Sequence, residues 1–516
     1  MNRPHLALLV CLPLTLAACG GDSADDATAS GGPSTGADPT SASSSSSTST
    51  AASTTNPAPT TTAPATTGDV TTDITTVDAT TLDATTLDAT TLDATTVEPA
   101  TGDATGTTQG VGDTGDTGTD DTGEPPPPVD ACADVAPVCP AGPPAKAGGG
   151  LVAIDRCGFP LVDQDTWTTQ ADRVAALAAV LPTITIGALA DAEFNRDAVA
   201  LKTVPGGVKN VAQAFRWDDE DNDKEWWIPQ GLTGSADATP DGTVGGRKLL
   251  LVSWYHDEDK DPNNTVTKGV RVSLVDIDDP AKPRYRHILL VEPTAGDPVD
   301  FKPIPIHAGG LTWFGDYLYV VDTGKGFRVF DMRALMRVET ALESVGWDPA
   351  TKKYYAGLYK YVLPQVGSYK HGSPCAPIFS SVALDRTSDP PTLVSSEYCS
   401  ADACGGALKG RIYRWPLDPA SGRLAAATVW PLAAHYMAQT HVQGGLVHMG
   451  DVYLSSSAPA GSAGALYVLP GGGASKTVTW VDTPEDLLRD GKRLWSLSEG
   501  TGIRVVFAVD LADLPG

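Results

Sequence analysis

Between residues 20 and 129 the chain has no lysine, arginine, phenylalanine, tryptophan or tyrosine, while 17 of these residues are acidic. A segment so poor in large apolar side chains cannot bury enough surface to offset the entropy lost on ordering, so it is expected to be disordered. Basic residues are scarce overall: 36 Lys and Arg stand against 63 Asp and Glu, a formal net charge of -27. That deficit persists outside the acidic stretch and excludes a nucleic-acid partner, which requires clustered Lys and Arg to displace counterions. Several catalytic signatures are missing too. From residue 130 onward there is no Gly-x-Ser-x-Gly elbow, no His-Glu-x-x-His and no phosphate-binding glycine loop ahead of a helix.

The first residues read as an export signal. Arg3 and His5 precede an apolar run over residues 6–18 that is too short to span a bilayer and ends in small residues. The run stops at a cysteine. Leu16-Ala17-Ala18-Cys19-Gly20 resembles the lipobox of bacterial lipoproteins. That resemblance implies cleavage before Cys19, acyl chains on Cys19 that anchor the protein stably to a membrane, and sorting to the outer membrane or cell surface, since Gly20 rather than Asp follows. Residues 19–129 then form a tether rich in Thr, Ser, Asp and Pro, with a pentad Thr-Thr-Leu/Val-Asp/Glu-Ala repeating over 75–99. An apolar residue every five positions matches neither a helix nor a strand. A flexible coil of this length spans about 60 Å, and its Thr/Ser/Pro content permits O-glycosylation.

Six cysteines remain once Cys11 leaves with the signal and Cys19 is lipidated: Cys132, Cys139, Cys157, Cys375, Cys399 and Cys404. An even count in an exported chain points to disulfides. Local spacing makes Cys399–Cys404, and some pairing among Cys132, Cys139 and Cys157, the shortest loops to close. No CxxC pair with histidines at finger spacing supports zinc.

From residue 208 onward an irregular unit recurs. A Gly-Leu pair opens it at Gly231-Leu232, Gly310-Leu311 and Gly445-Leu446. A second strand follows at 248–254 (KLLLVSW), 317–322 (YLYVVD) and 452–456 (VYLSS), a third at 270–276, 327–331 and 465–469, and a looser fourth at 287–291 and 477–481. The long interval between Leu311 and Leu446 holds a degenerate unit, with strands at 380–384, 392–397 and 411–417, and a last unit starts at 484–487. Four-stranded modules joined by turns, with no crossover helices, predict an all-β fold, a five-bladed β-propeller, with six blades as the alternative. The last unit stops after three strands, so 211–217 (VAQAFRW) is expected to supply the fourth and close the ring.

Residues 209–516 resemble a group of uncharacterised exported bacterial propeller-like proteins through WWIPQGLT, HAGGLTW, GFRVFD and the terminal RLWSLSE and RVVFAVDL. The resemblance implies the fold and no activity. Residues 130–207 read as a small cysteine-containing decoration with one helix, capped by Thr168 or Thr169, its apolar face carried by Val174, Ala175, Leu177, Ala178 and Leu181, and ended by Pro182.

Propellers host many functions, so function must be sought in the site. The inner strands surround one axis, and polar residues at their starts converge there: Gln230, His307, Ser380 or Ser381, Gln443 with His441, and Glu485 with Asp486. A carboxylate beside imidazoles suits acid-base chemistry or cation binding, whereas mutual hydrogen bonding is the structural alternative. Trp226, Trp227, Trp254, Tyr255 and Trp313 near the unit starts are candidates for stacking on sugar rings. Two acidic runs, Asp219, Asp221 and Asp223, and Asp257, Asp259 and Asp261, carry the one-three-five spacing that Ca²⁺ favours. Neither is an EF-hand: in the second, Pro262 and Lys268 occupy the positions of the required Gly and Glu. A solvated acidic loop is the alternative. The expectation is a lipid-anchored, monomeric propeller that binds an extracellular glycan or protein. A hydrolase of a sugar or phosphate ester is the alternative, although sialidase, arabinanase and phytase motifs are absent.

Overall fold

The computed structural model describes residues 131–516 except 143–144, 165, 264–265, 376, 401–409 and 458–462. The expected export signal with Cys19, the expected tether and Cys404 lie outside the described residues.

Five antiparallel four-stranded blades follow one another along the chain. Blade 1 runs Trp227–Gly234, Leu249–His256, Val270–Asp276 and Arg284–Thr294. In blade 2 the strands are Leu311–Phe314, Tyr317–Asp322, Gly326–Asp331 and Tyr361–His371. Blade 3, the degenerate unit of the sequence, has Phe379–Asp385, Thr392–Glu397, Arg411–Asp418 and Ala433–Tyr436. Blade 4 comprises Val442–His448, Asp451–Ser456, Ala465–Leu469 and Lys476–Thr479. Blade 5 contributes Pro484–Asp490, Arg493–Ser498 and Val505–Asp510, and its outer strand is Val211–Arg216, antiparallel to Val505–Asp510 with Phe507 opposite Ala214. The ring closes as the sequence implied. The five innermost strands pack side by side around the axis, blade 5 returning to blade 1.

Both faces of each blade are covered, which explains the continuous apolar runs. In 249–254 successive side chains point to opposite faces. Leu249 and Leu251 join Leu311, Trp313 and Val320 between blades 1 and 2. Leu250, Val252 and Trp254 join Trp495, Leu497 and Val506 between blades 5 and 1. The core is thus a set of interblade layers. At the outer edge Tyr361–His371 extends beyond its own blade, and Val362–Pro364 pairs in parallel with Leu289–Val291 of blade 1.

The segment before residue 208 augments the rim. Val152–Ala153 pairs with the outer strand of blade 3, Leu161–Asp163 with that of blade 2, Arg196–Asp197 with that of blade 1, and Val199–Leu201 with the ring-closing strand. Its helix, Trp167–Ala178, begins slightly earlier than the threonines suggested, with Thr166 at the N-cap and no side-chain cap; Val174, Leu177 and Leu181 are buried, whereas Ala175 and Ala178 are exposed. A second helix, Ile186–Ala192, was invisible in the apolar pattern and is capped by Thr185, whose hydroxyl accepts from the Ala188 amide. Cys132 bonds Cys157, within the expected local group. Cys139 instead bonds Cys375, 236 residues away, because the segment returns to blade 3 and sequence spacing says nothing of that approach. Cys399 is also disulfide-bonded.

Candidate functional site at the propeller axis

The inner strands are irregular where the site forms. In blades 1, 3, 4 and 5 the pairing of the first strand with the second slips at Gln230-Gly231, Ser380, Gln443 and Glu485-Asp486. A bulge leaves its extra residue out of the ladder and re-aims the side chain. Gln230, Ser380, Gln443, Glu485 and Asp486 therefore sit at the bulges themselves, whereas His307, Ser381 and His441 do not. The accompanying glycines permit close approach of neighbouring blades: a Cβ on Gly231 would lie 2.8 Å from the Gly310 carbonyl carbon, and one on Gly310 would lie 2.1 Å from the Val382 nitrogen.

Two amide–carboxylate pairs form. Gln230 Nε2 donates to Glu499 Oε2 at 2.6 Å, and Gln443 Nε2 donates to Glu485 Oε1 at 3.1 Å. His307 stands exposed just ahead of the blade 2 inner strand, one ring face on Tyr255 with centroids 4.4 Å apart. Desolvation lowers the His307 pKa, with the charge of Asp257 opposing. Tyr255 lies opposite Ile228 in the ladder, two residues before Gln230; burial raises its pKa, and the charges of Glu499, Asp257 and Glu485 raise it further. Burial likewise raises the Glu499 pKa, against the Gln230 hydrogen bond and the Arg504 charge. The arrangement offers carboxylate acceptors, amides and an aromatic platform at one end of the axis.

Other candidates separate from this group. Asp486 is fully buried and accepts the backbone N–H groups of Leu232 at 3.0 Å, Leu311 at 3.2 Å and Leu487 at 2.9 Å. It pins blades 1, 2 and 5 together rather than facing a ligand. His441 occupies the place in blade 4 that His307 flanks in blade 2, yet its ring lies edge-on to Tyr398 and its Nδ1 meets Thr440 Oγ1 at 3.1 Å. Ser380 donates to Val442 O at 2.9 Å, and Ser381 Oγ accepts the Gly445 amide at 3.0 Å. Trp227, Trp254 and Trp313 are core residues. Glu499 was missed because it lies in the turn after the second strand of blade 5, outside the unit starts; the Ser-Glu-Gly-Thr-Gly turn was its only trace.

The first acidic run is a single helical turn, Asp219–Asp223, on the link from the ring-closing strand to blade 1. Its three carboxylates do not converge. Asp219 pairs with Arg216 at 2.7 Å, and Asp223 accepts from Asn222 at 2.6 Å. Asp221 is buried and takes Arg271 at 2.6 Å, Tyr285 Oη at 2.7 Å and His287 Nε2 at 2.9 Å. Burial alone would raise its pKa, but Arg271 and His287 hold it well below the usual carboxylate range. Asp221 is thus the anion of an ion cluster. In the second run Asp257 accepts the Asp259 amide, while buried Asp261 accepts from His256 Nε2 at 2.9 Å. Among the described residues no three His, Cys, Asp or Glu side chains are grouped as metal ligands.

Fold and site together define a five-bladed β-propeller with an axial cluster of amides, carboxylates and one aromatic–imidazole stack. No protein-family model and no curated protein matches the chain. Among solved structures it is similar to the GH43_1 enzyme from Xanthomonas citri complexed with xylose, at 12% identity and a TM-score of 0.28 over 66% of this chain and 93% of that one. It is also similar to RS223-Beta-xylosidase, at 11% identity and a TM-score of 0.27 over 57% and 93%, and to BamB from Moraxella catarrhalis, at 12% identity and 0.20 over 52% and 56%.

Proposed function

We propose that the protein is an exported propeller, held at the cell envelope by acyl chains on Cys19, that binds an extracellular glycan at the axial end formed by Gln230, Tyr255, His307, Gln443, Glu485 and Glu499. The observation that carries this reading is the Tyr255–His307 stack beside two amide–carboxylate pairs. Sugars present hydroxyls to amides and carboxylates and a C–H face to aromatic rings. A glycan array probed with the full-length protein, run beside a hydrolase panel, tests it. Binding without turnover that is lost in Tyr255→Ala is expected. Absence of binding to any glycan overturns the reading, and turnover replaces it with the hydrolase, for which Glu499, with its raised pKa, is the proton-bearing candidate. Anchoring is tested separately: Cys19→Ser should release the protein from the membrane fraction, and persistence after carbonate washing overturns the lipid anchor.

A further inference from the structure

Away from the axis, a cleft of about 200 Å³ opens between blades 3 and 4. Its blade 3 wall is one sheet face: His435 lies opposite Ile412 on one side and Ala153 on the other, and Arg414 is two residues along the strand from Ile412. Lys146 completes the rim, carried by a segment that crosses to blade 4 through Leu151 N to Gly472 O at 2.9 Å and Ser475 N to Gly148 O at 2.8 Å.

Chemically the cleft inverts the rest of the molecule. In a chain of net charge -27, the lining holds Lys146, Arg414 and His435 and no aspartate or glutamate. Asp385 engages one nitrogen of Arg414 at 2.6 Å, which fixes the guanidinium and offsets one charge of the group. The charge of the cleft rests on Lys146 and Arg414: burial lowers the His435 pKa, and these two cations lower it further, which favours the neutral imidazole as a hydrogen-bond partner. An anion bound beside these cations would offset their charge and favour the protonated imidazole. Ile412, Leu151, Val447 and Val452 supply an apolar floor. A space of about seven water volumes suits a small molecule rather than a polymer.

We infer that the cleft between blades 3 and 4 is a binding site for a small organic anion, its carboxylate or phosphate head held by Lys146, Arg414 and His435 and its apolar body on the aliphatic floor. This site is independent of the axial glycan reading.

Titration of the full-length protein with benzoate, inorganic phosphate and the neutral benzyl alcohol, followed by calorimetry, tests the assignment. Benzoate is expected to bind at millimolar concentration or below, phosphate more weakly for want of the floor, and benzyl alcohol not measurably. Lys146→Glu, on an exposed side chain, should weaken benzoate about tenfold or more, equivalent to about 1.4 kcal/mol, with an unchanged melting temperature, and His435→Gln should weaken it less. Binding by phosphate but not benzoate supports the charged rim and overturns the role of the floor. Absence of binding by either anion, equal binding of benzyl alcohol, or an undiminished benzoate affinity in Lys146→Glu overturns the inference.

Discussion

Two polar assemblies lie a few residues apart in this propeller and are built on opposite logic. At the seam between blades 5 and 1, Asp221 is surrounded by Arg271, His287 and Tyr285, and Arg271 lies over Trp227 at 4.4 Å and Trp254 at 4.7 Å. Arg504, fully buried, donates to the carbonyls of Asp221 at 2.7 Å, Lys224 at 2.6 Å and Glu499 at 3.0 Å. The axial cluster next to it pairs carboxylates with neutral amides instead. Charges neutralised by fixed counter-charges are committed to structure, whereas a carboxylate that accepts from a neutral amide is held by a weaker and more replaceable partner. One assembly locks the ring; the other is the site proposed above to take a glycan.

The sharpest test of the lock removes it. Deleting residues 20–217 takes away the ring-closing strand and the start of the seam, and should leave an aggregating product with an open blade edge. Deleting residues 20–129 alone should leave the melting temperature nearly unchanged. A soluble, equally stable 218–516 fragment would refute the closure.

Next in size is Asp221→Ala. It strands Arg271 in the interior and should cost about 3–5 kcal/mol in denaturant unfolding. A loss below about 1 kcal/mol, the range of exposed pairs, would mean that the seam is not a structural charge cluster.

Gln443→Ala, in the axial group, should cost only about 1 kcal/mol of stability while removing glycan binding. Were its stability loss as large as that of Asp221→Ala, the contrast between the two assemblies would collapse.

The smallest effect is in pH dependence. Burial and the charge of Arg271 lower the His287 pKa to about 4 in the folded protein, from an ordinary value of 6.5. Between these values the unfolded chain binds the proton and the folded one does not, so this contribution to stability is lost as pH falls from about 6.5 to 4. Buried Asp237, raised to about 7, slopes the other way, so the test is a difference between curves. His287→Gln should flatten the acid limb of the melting curve relative to the parent protein, and parallel curves would exclude the seam histidine as its source.

The strands of the blades were legible because interblade burial imposes continuous β-branched and aromatic runs: Val270–Asp276, Tyr317–Asp322 and Ala465–Leu469 have the limits their sequences suggested. Closure through Val211–Arg216 was legible from a missing fourth strand. The bulges were not, because a register slip leaves no compositional mark, and without them Gln230 and Gln443 are merely polar residues near a glycine. Asp486 looked like a ligand group because its three backbone donors come from Leu232, Leu311 and Leu487, whose main chains carry no sequence signal. The conformation of the first acidic run was hidden for a related reason: one-three-five spacing reads as a loop, but Asp218 accepts the Asp221 amide and winds the run into a helical turn.

The Cys139–Cys375 bond has a mechanical consequence for a protein reached through its N-terminal side. Tension entering there meets Cys132 and Cys139 well before residue 211, and the covalent link passes it directly to Cys375, on the connection from the outer strand of blade 2 to the inner strand of blade 3. The load path therefore bypasses the rim strands Val152–Ala153, Leu161–Asp163, Arg196–Asp197 and Val199–Leu201 and the closing strand Val211–Arg216 behind them, which force applied along the chain would otherwise peel away in turn. Reduction of that single bond would reroute the pull toward the closing strand and turn a clamped ring into one that unzips.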